Sequence, residues 1–457
     1  MLWYNLGVIL FYLILILGLF LRLKGFEVLP LGDEGYSLFI AKSPCFTSIF
    51  QDAGNPWFYF LIIKSEYLMF HFNLLGYKLT SLIFNMGAII ALFYTIKKNF
   101  NLKTANIAAF LGAINLVLIY YAPEIRCYSL TMLLSPLIVY FLFRVLQKRK
   151  NIYFVIYALL GIIAINTHYF EAIFLFLNFI FGVFYLKNKK SALIKFIILN
   201  CAILLSFAPF FILVSYKGAI LDKGFNLWLE DITAGLILRQ IAFILGGLIS
   251  FILSIIFFIK AFFNKGFNFK KRLWLTYLIY IIFASIILSI ILSYSIRPMI
   301  TERYYCYLVP LFITFLSIIF ANYKKKIYVV LFLIWIVSMQ LNTKIKDTRS
   351  FYRFEHQIFN KVQNNKDNYI IIRIMTKYYL DTQKGFENVN IITFPTGEKN
   401  ELQKNVQNKI SEILKNNKNA VIYTTLLKPD KSNPAANYTC FYDKKTDLCL
   451  WQIKAKP

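Results

Sequence analysis

Apolar runs of about 16 to 28 residues, separated by short polar breaks, fill the first three quarters of the chain. They cover residues 2–22, 79–96, 104–121, 129–147, 152–167, 170–186, 192–215, 235–262, 273–294, 304–321 and 327–342. Runs of this length cross a bilayer as helices, so the pattern predicts an all-α polytopic membrane protein with about eleven spans. Leu2 to Leu21 lacks the short apolar centre and small-residue cleavage site of a signal peptide and reads as a retained helix. A further apolar stretch, Trp57 to Phe72, carries Lys64, Glu66 and His71, groups that are costly to bury in lipid.

The pattern changes after Leu341. Residues 343–457 are polar and alternate helix-like with strand-like pieces. "YRFEHQIFNKVQ" and "ELQKNVQNKISEILKNN" read as helices, and "NYIIIRIM", "NVNIITF" and "NAVIYTTLL" as strands. This predicts two domains: residues 1–342 in the membrane and a small α/β domain over 343–457. Near its end, "YTCFY" and "LCLWQ" bracket the turn-like "DKKTD", which would place Cys440 and Cys449 across a hairpin. A disulfide between them is allowed outside the cytosol, and two unpaired structural thiols are the alternative.

Charge orients the chain. Basic clusters lie at Lys97-Lys98, at Lys148-Arg149-Lys150, from Lys187 to Lys195, from Lys265 to Arg272 and from Lys324 to Lys326. If 57–72 is an interfacial helix and not a span, every cluster falls on one side, which the positive-inside rule makes cytoplasmic. The N-terminus is then inside and the C-terminal domain external. The loops holding the unusual polar residues, Gly25–Pro56, Tyr121–Tyr128, "NTHYFEA", Lys217–Asp231 and "SIRPMITERYY", then share the external face.

The chain is 59% hydrophobic, which excludes an ordinary soluble domain. Its net charge of +28 sits mostly in the topology-setting clusters and calls for no nucleic-acid partner. Cysteines lack metal-ligand spacing and the three histidines lie far apart, so a side-chain zinc site is not expected. Nucleotide-binding and common hydrolase motifs are missing in any usable context.

Candidate chemistry concentrates in the external loops. Asp33 and Glu34 in "LPLGDEGYSLF" follow the first span. They read as a helix-start pair favoured by the macrodipole, or as carboxylates that accept a proton from a nucleophile at the interface. In "YYAPEIRCYSLTMLL", Arg126 either snorkels and pairs with Glu124 or binds a phosphate, which a planar guanidinium suits. In "IRPMITERYYCYLVPLF", Arg297 and Arg303 are external arginines against the usual bias, as expected of an anion-binding face. Asp52, Asn55 and Pro56 start the interfacial helix. His168 and Glu171 cap a tight turn, where a lone His reads as an interfacial residue or a ligand contact.

In order, "DEGYSL", "GNPWFYFLI", "YYAPEIRCYSLTMLL", "NTHYFEAIFLF" and "RPMITERYYCYLVP" resemble GT-C-fold glycosyltransferases of the dolichyl-phosphate-mannose–protein mannosyltransferase type. That group includes bacterial relatives and the aminoarabinose transferases. The resemblance covers roughly residues 1–320, and the tail is similar to the variable external domains of such enzymes. It implies a catalytic base at Asp33, an acidic neighbour at Glu34 that orients base or acceptor, and donor-phosphate contacts at Arg126 and Arg303; Arg297, external on the same loop, is a further phosphate-binding candidate from its position. Tyr36, Asp52, Asn55, Glu124, Tyr128, His168 and Tyr304 are weaker candidates for acceptor or sugar contacts. Asn55-Pro56-Trp57 departs from the usual pattern of Lys or His before two prolines.

The expected activity is inverting transfer of a sugar from a polyprenyl-phosphate donor to a lipid, glycan or protein acceptor on the external side of the inner (plasma) membrane. No cofactor or metal is required, though a divalent cation is allowed. A transporter or flippase of an amphipathic anionic lipid is the alternative. It would place charges at mid-membrane in broken helices, whereas the spans 79–96, 104–121, 152–167 and 304–321 have almost none at their centres.

Overall fold

A computed structural model describes residues 2–23, 33–50, 55–71, 74–216, 233–244, 269–295 and 300–322 of the N-terminal region. Further on it describes residues 365–373, 388–394, 399–424, 436–443 and 448–455, and elsewhere only isolated positions. The expected span at 327–342 and the loop at 217–231 lie outside the described residues, as do Asp52, Arg297 and most of "YRFEHQIFNKVQ". The chain divides into two compact units, one of residues 1–26 and 49–342, the other of 27–48 and 343–457.

In the first unit, the apolar runs are helices: α1 (Leu2–Leu23), α3 (Phe58–Phe70), α4 (Leu74–Asn99), α5 (Leu102–Ile114), α6 (Leu116–Tyr121), α7 (Tyr128–Lys148), α8 (Asn151–Ile165), α9 (Phe170–Leu186), α10 (Lys190–Tyr216), α11 (Ala234–Ile244), α12 (Phe269–Ser295) and α13 (Leu308–Asn322). Five of them, α1, α4, α7, α10 and α12, are long and apolar enough by themselves to cross a membrane. On α12, Phe283, Ile287, Ile291 and Tyr294 form an exposed stripe at helical spacing, and α1 exposes Ile9, Leu13, Ile16 and Phe20 in the same way. Such surfaces belong in lipid. Helix α3 has 13 residues, too short to cross a hydrocarbon core of about 30 Å at 1.5 Å per residue.

Two expected spans are not continuous. The run 104–121 breaks at Asn115, whose side chain leaves α5 and caps α6, accepting from Val117 and Leu118 N–H at 3.0 and 3.1 Å. The run 304–321 opens with a 3-10 turn, Glu302–Tyr305, ahead of α13. Both breaks fall beside polar loops, where a helix gives up regularity to aim side chains.

Arg22 closes the end of α1. It is fully buried and donates to Asn85 Oδ1 (2.7 Å), to Gly18 and Ala113 carbonyls (both 2.8 Å) and to the Gly112 carbonyl (3.0 Å). Asn85 donates in turn to the Leu118 carbonyl at 2.9 Å and Ser129 Oγ at 3.2 Å, and Ser129 to the Tyr121 carbonyl at 2.9 Å. The network pins α1, α4, α5, α6 and the start of α7 with neutral acceptors around one cation.

In the second unit, Asp33 and Glu34 occupy the first turn of helix α2 (Asp33–Lys42), inside what the sequence reads as a loop. Carboxylates there meet the free N–H groups of the first turn. The tail forms a five-stranded sheet, order β2-β1-β3-β5-β4, from β1 (Asn368–Arg373), β2 (Asn390–Phe394), β3 (Val421–Thr424), β4 (Ala436–Asp443) and β5 (Leu448–Ala455). Strands β1, β2 and β3 are parallel and β5 is antiparallel to β3 and β4. Helix α14 (Lys399–Asn416) packs Val406, Ile410, Ile413 and Leu414 into a core with Ile371, Ile422 and Ile453. The i, i+4, i+7, i+8 spacing of its apolar residues puts them on one face.

In the terminal hairpin, β4 and β5 pair in a defined register. Cys440 lies opposite Trp451, and Cys449 opposite Tyr442.

Candidate functional site

The first unit brings three separate polar turns together. Arg126 lies on the turn between α6 and α7, where its N–H donates to the Glu124 carbonyl at 2.8 Å. It is 5% exposed and its guanidinium stands 5.8 Å from the Phe60 ring of α3. Arg303 lies on the 3-10 turn before α13, with its guanidinium 5.8 Å from the ring of Tyr304. His168 lies on the turn between α8 and α9. Its ring centre is 5.1 Å from Tyr304, 6.0 Å from Phe170 and 6.1 Å from Tyr128.

Each turn is fixed locally. Asn166 ends α8, donating to the Ile162 carbonyl at 3.0 Å and to Ser206 Oγ of α10 at 3.2 Å. It accepts from Trp57 Nε1 at 2.9 Å, and its carbonyl accepts from Phe58 N–H at 2.9 Å, tying the start of α3 to the His168 turn. Cys127 Sγ, beside Arg126, donates to Asn55 Oδ1 at 3.7 Å. The 3-10 turn is anchored by a short Ser289–Tyr305 hydroxyl contact to α12.

The turns lie within reach of one another's charges. Burial first, then the fields of Arg126 and Arg303, push the His168 ring down to about 3 from 6.5, so it is neutral at physiological pH. Tyr128 lies in the fields of Arg303, Arg126 and Glu124, and Cys306 in those of Glu124 and Arg303. The turns thus present two guanidinium groups and a neutral imidazole within an aromatic wall. Planar, permanently charged donors of this kind suit the oxygens of a phosphate.

Of the residues picked from sequence, Asn55, Glu124, Arg126, Tyr128, His168, Arg303 and Tyr304 belong to this cluster or border it. Asp33, Glu34 and Tyr36 lie on α2 in the second unit. Among the described residues, no group of three or more His, Cys, Asp or Glu side chains is arranged to hold a metal ion. Sequence reasoning missed Arg22, Asn85, Asn115, Ser129, Trp57 and Asn166, which support the turns. A signal for the first was present: an arginine inside an apolar run of spanning length needs internal acceptors.

Residues 54–216 match the family model of dolichyl-phosphate-mannose-protein mannosyltransferases. This segment carries Arg126 and His168, but not Asp33 or Arg303. No curated protein matches the chain by sequence. The fold matches that of ArnT from Cupriavidus metallidurans in the apo state, with a TM-score of 0.59 and 10% identity over 98% of this chain and 97% of the other. ArnT from the same organism bound to undecaprenyl phosphate gives a TM-score of 0.56 and 11% identity over 98% of each chain. The chain is therefore a multi-pass membrane protein with an ArnT-like, GT-C-like fold, and its residues 54–216 resemble the mannosyltransferase family.

Proposed function

We propose that the protein transfers a sugar, with inversion, from a polyprenyl-phosphate-linked donor to a lipid, glycan or protein acceptor at the external face of the plasma membrane. The observation that carries this reading is the gathering of Arg126, His168 and Arg303 from three turns into one aromatic-lined cluster, in which Arg126 and His168 are buried and Arg303 is half-buried. The fold likeness to a protein solved with undecaprenyl phosphate supports the donor class.

The chemistry follows from the groups. The acceptor oxygen or nitrogen forms a bond to the anomeric carbon while the bond from that carbon to the phosphate oxygen breaks. Charge grows on the departing prenyl phosphate, and Arg126 and Arg303 stabilise it, with Arg297 assisting. Asp33 takes the acceptor's proton, and Glu34 orients base or acceptor. Its place in the first turn of α2 sets Asp33 beside the positive end of the helix dipole. Tyr36, Asp52, Asn55, Glu124, Tyr128 and Tyr304 contact sugar or acceptor. A low-water site at the membrane edge would limit hydrolysis of the donor. The proposed reaction requires no metal, since Asp33 and Glu34 are the one firm acidic pair and serve as base and neighbour, though a divalent cation is allowed.

The location rests on charge bias: with α3 interfacial, the basic clusters are cytoplasmic and the polar turns external. An external transferase meets no nucleotide sugars and takes its donor from a lipid.

The test is a deletion strain whose lipids and glycoproteins are profiled by mass spectrometry. Deletion should accumulate a prenyl-phosphate sugar and remove one glycosylated product, and the intact gene should restore both. Asp33→Asn, expressed and inserted normally, should fail to restore them, with transfer reduced at least about a hundredfold. Full restoration by Asp33→Asn would remove the base assignment.

A further inference from the structure

We propose that His168 is a neutral donor in the phosphate site: its Nε2–H hydrogen-bonds a non-bridging oxygen of the prenyl-linked phosphate, between the two arginines. The proposal rests on the function given above and assigns a third, uncharged contact to it.

The tautomer is set by the backbone. Phe170 N–H donates to His168 Nδ1 at 3.2 Å, so Nδ1 carries no proton and the ring's one proton sits on Nε2. That nitrogen is buried and, among the described residues, has no hydrogen-bond partner, although His168 is only 3% exposed. Buried donors are nearly always satisfied, so a lone N–H in a packed wall is a place where a ligand completes the structure. The rings of Tyr128, Phe170 and Tyr304 stand around it.

The occupant must be an acceptor, and the neighbouring charges make it an anion. Arg126 and Arg303 both act on the His168 ring through their positive fields. A third cation beside them would be repelled. A neutral N–H adds a directed hydrogen bond without adding charge. Such a bond strengthens as negative charge builds on the departing phosphate, so it contributes to turnover more than to ground-state binding.

Histidine labelling is practical because the chain has only three, His71, His168 and His356. The full-length protein, labelled with 15N-histidine in micelles, should show one ring with the Nε2-protonated neutral pattern that disappears in His168→Gln. Geranyl phosphate should shift that Nε2 signal, and the same concentration of inorganic phosphate should not, which separates a prenyl-linked phosphate from a free one. His168→Phe should bind geranyl phosphate about tenfold or more weakly, and His168→Gln, which places an amide N–H near Nε2, should recover most of the loss. A ring protonated on Nδ1 or on both nitrogens at neutral pH would overturn the assignment. So would unchanged binding by a folded His168→Phe variant, or a shift produced equally by inorganic phosphate. Arg126→Leu separates the two levels. If it abolishes binding while His168→Phe does not, the phosphate site stands and only the histidine's role falls; if Arg126→Leu binds normally, the site itself is refuted.

Discussion

Asn85→Leu isolates the network that holds the Arg126 turn. Asn85 is fully buried on α4 and links Arg22 Nε, the Leu118 carbonyl and Ser129 Oγ at 2.7, 2.9 and 3.2 Å. Leucine fills nearly the same volume, so little cavity forms and the cost is polar. Stranding one N–H of a buried guanidinium costs about 2 kcal/mol and an unpaired carbonyl about 1 kcal/mol more. Taken instead at the mean measured inside membranes, about 0.6 kcal/mol per bond, the three bonds sum to roughly 2 kcal/mol. Both routes give a loss of about 2–3 kcal/mol. With Arg22→Met already present there is no charge to strand, and Asn85→Leu should cost only about 1 kcal/mol. The double-mutant cycle should therefore show a coupling of about 1–2 kcal/mol. Reversible unfolding in mixed micelles, followed by tryptophan fluorescence, measures all four proteins. Additive effects within about 0.5 kcal/mol would show that Arg22 and Asn85 do not act as one unit.

Acid should act through His168. Its folded value lies near 3, below the 6.5 of an exposed ring, so below pH 6.5 the unfolded chain gains a proton that the folded protein refuses. Stability should fall through that window by up to about 1.4 kcal/mol per pH unit, and His168→Gln should flatten the slope relative to wild type in unfolding titrations. Gly182 admits no side chain: an added Cβ would stand 2.3 and 2.5 Å from atoms of the buried Phe196 ring, so Gly182→Val should loosen α9 from α10 and cost about 1–3 kcal/mol, seen as a lower thermal midpoint. In the second unit, Val406→Ala removes two methyl groups from a fully buried position on α14, and faster amide exchange in β1 and β3, with a loss of about 1–2 kcal/mol, is the expected result. Protection unchanged in those strands would mean that α14 does not support the sheet.

Hydrophobic periodicity alone determined that this is a polytopic helical protein with a small α/β tail. Lipid demands long apolar runs, and strands and helices of a water-facing domain carry periods of 2 and 3.6. The strands β1, β2 and β3 and the helix α14 were legible for the same reason. The break at Asn115 and the 3-10 turn at Glu302–Tyr305 were not, because a side-chain cap inside an apolar run scarcely alters hydropathy. The polar turns were visible as unusual residues in a greasy chain, but their meeting was not: Arg126, His168 and Arg303 are far apart in sequence and are joined only by the packing of α3, α7, α8, α9 and α13. The hairpin register, which sets Cys440 against Trp451, was likewise decided by strand pairing. Local sequence states what each segment prefers, whereas burial of Arg22 among carbonyls from α1 and α5 depends on contacts that exist only once those helices have packed.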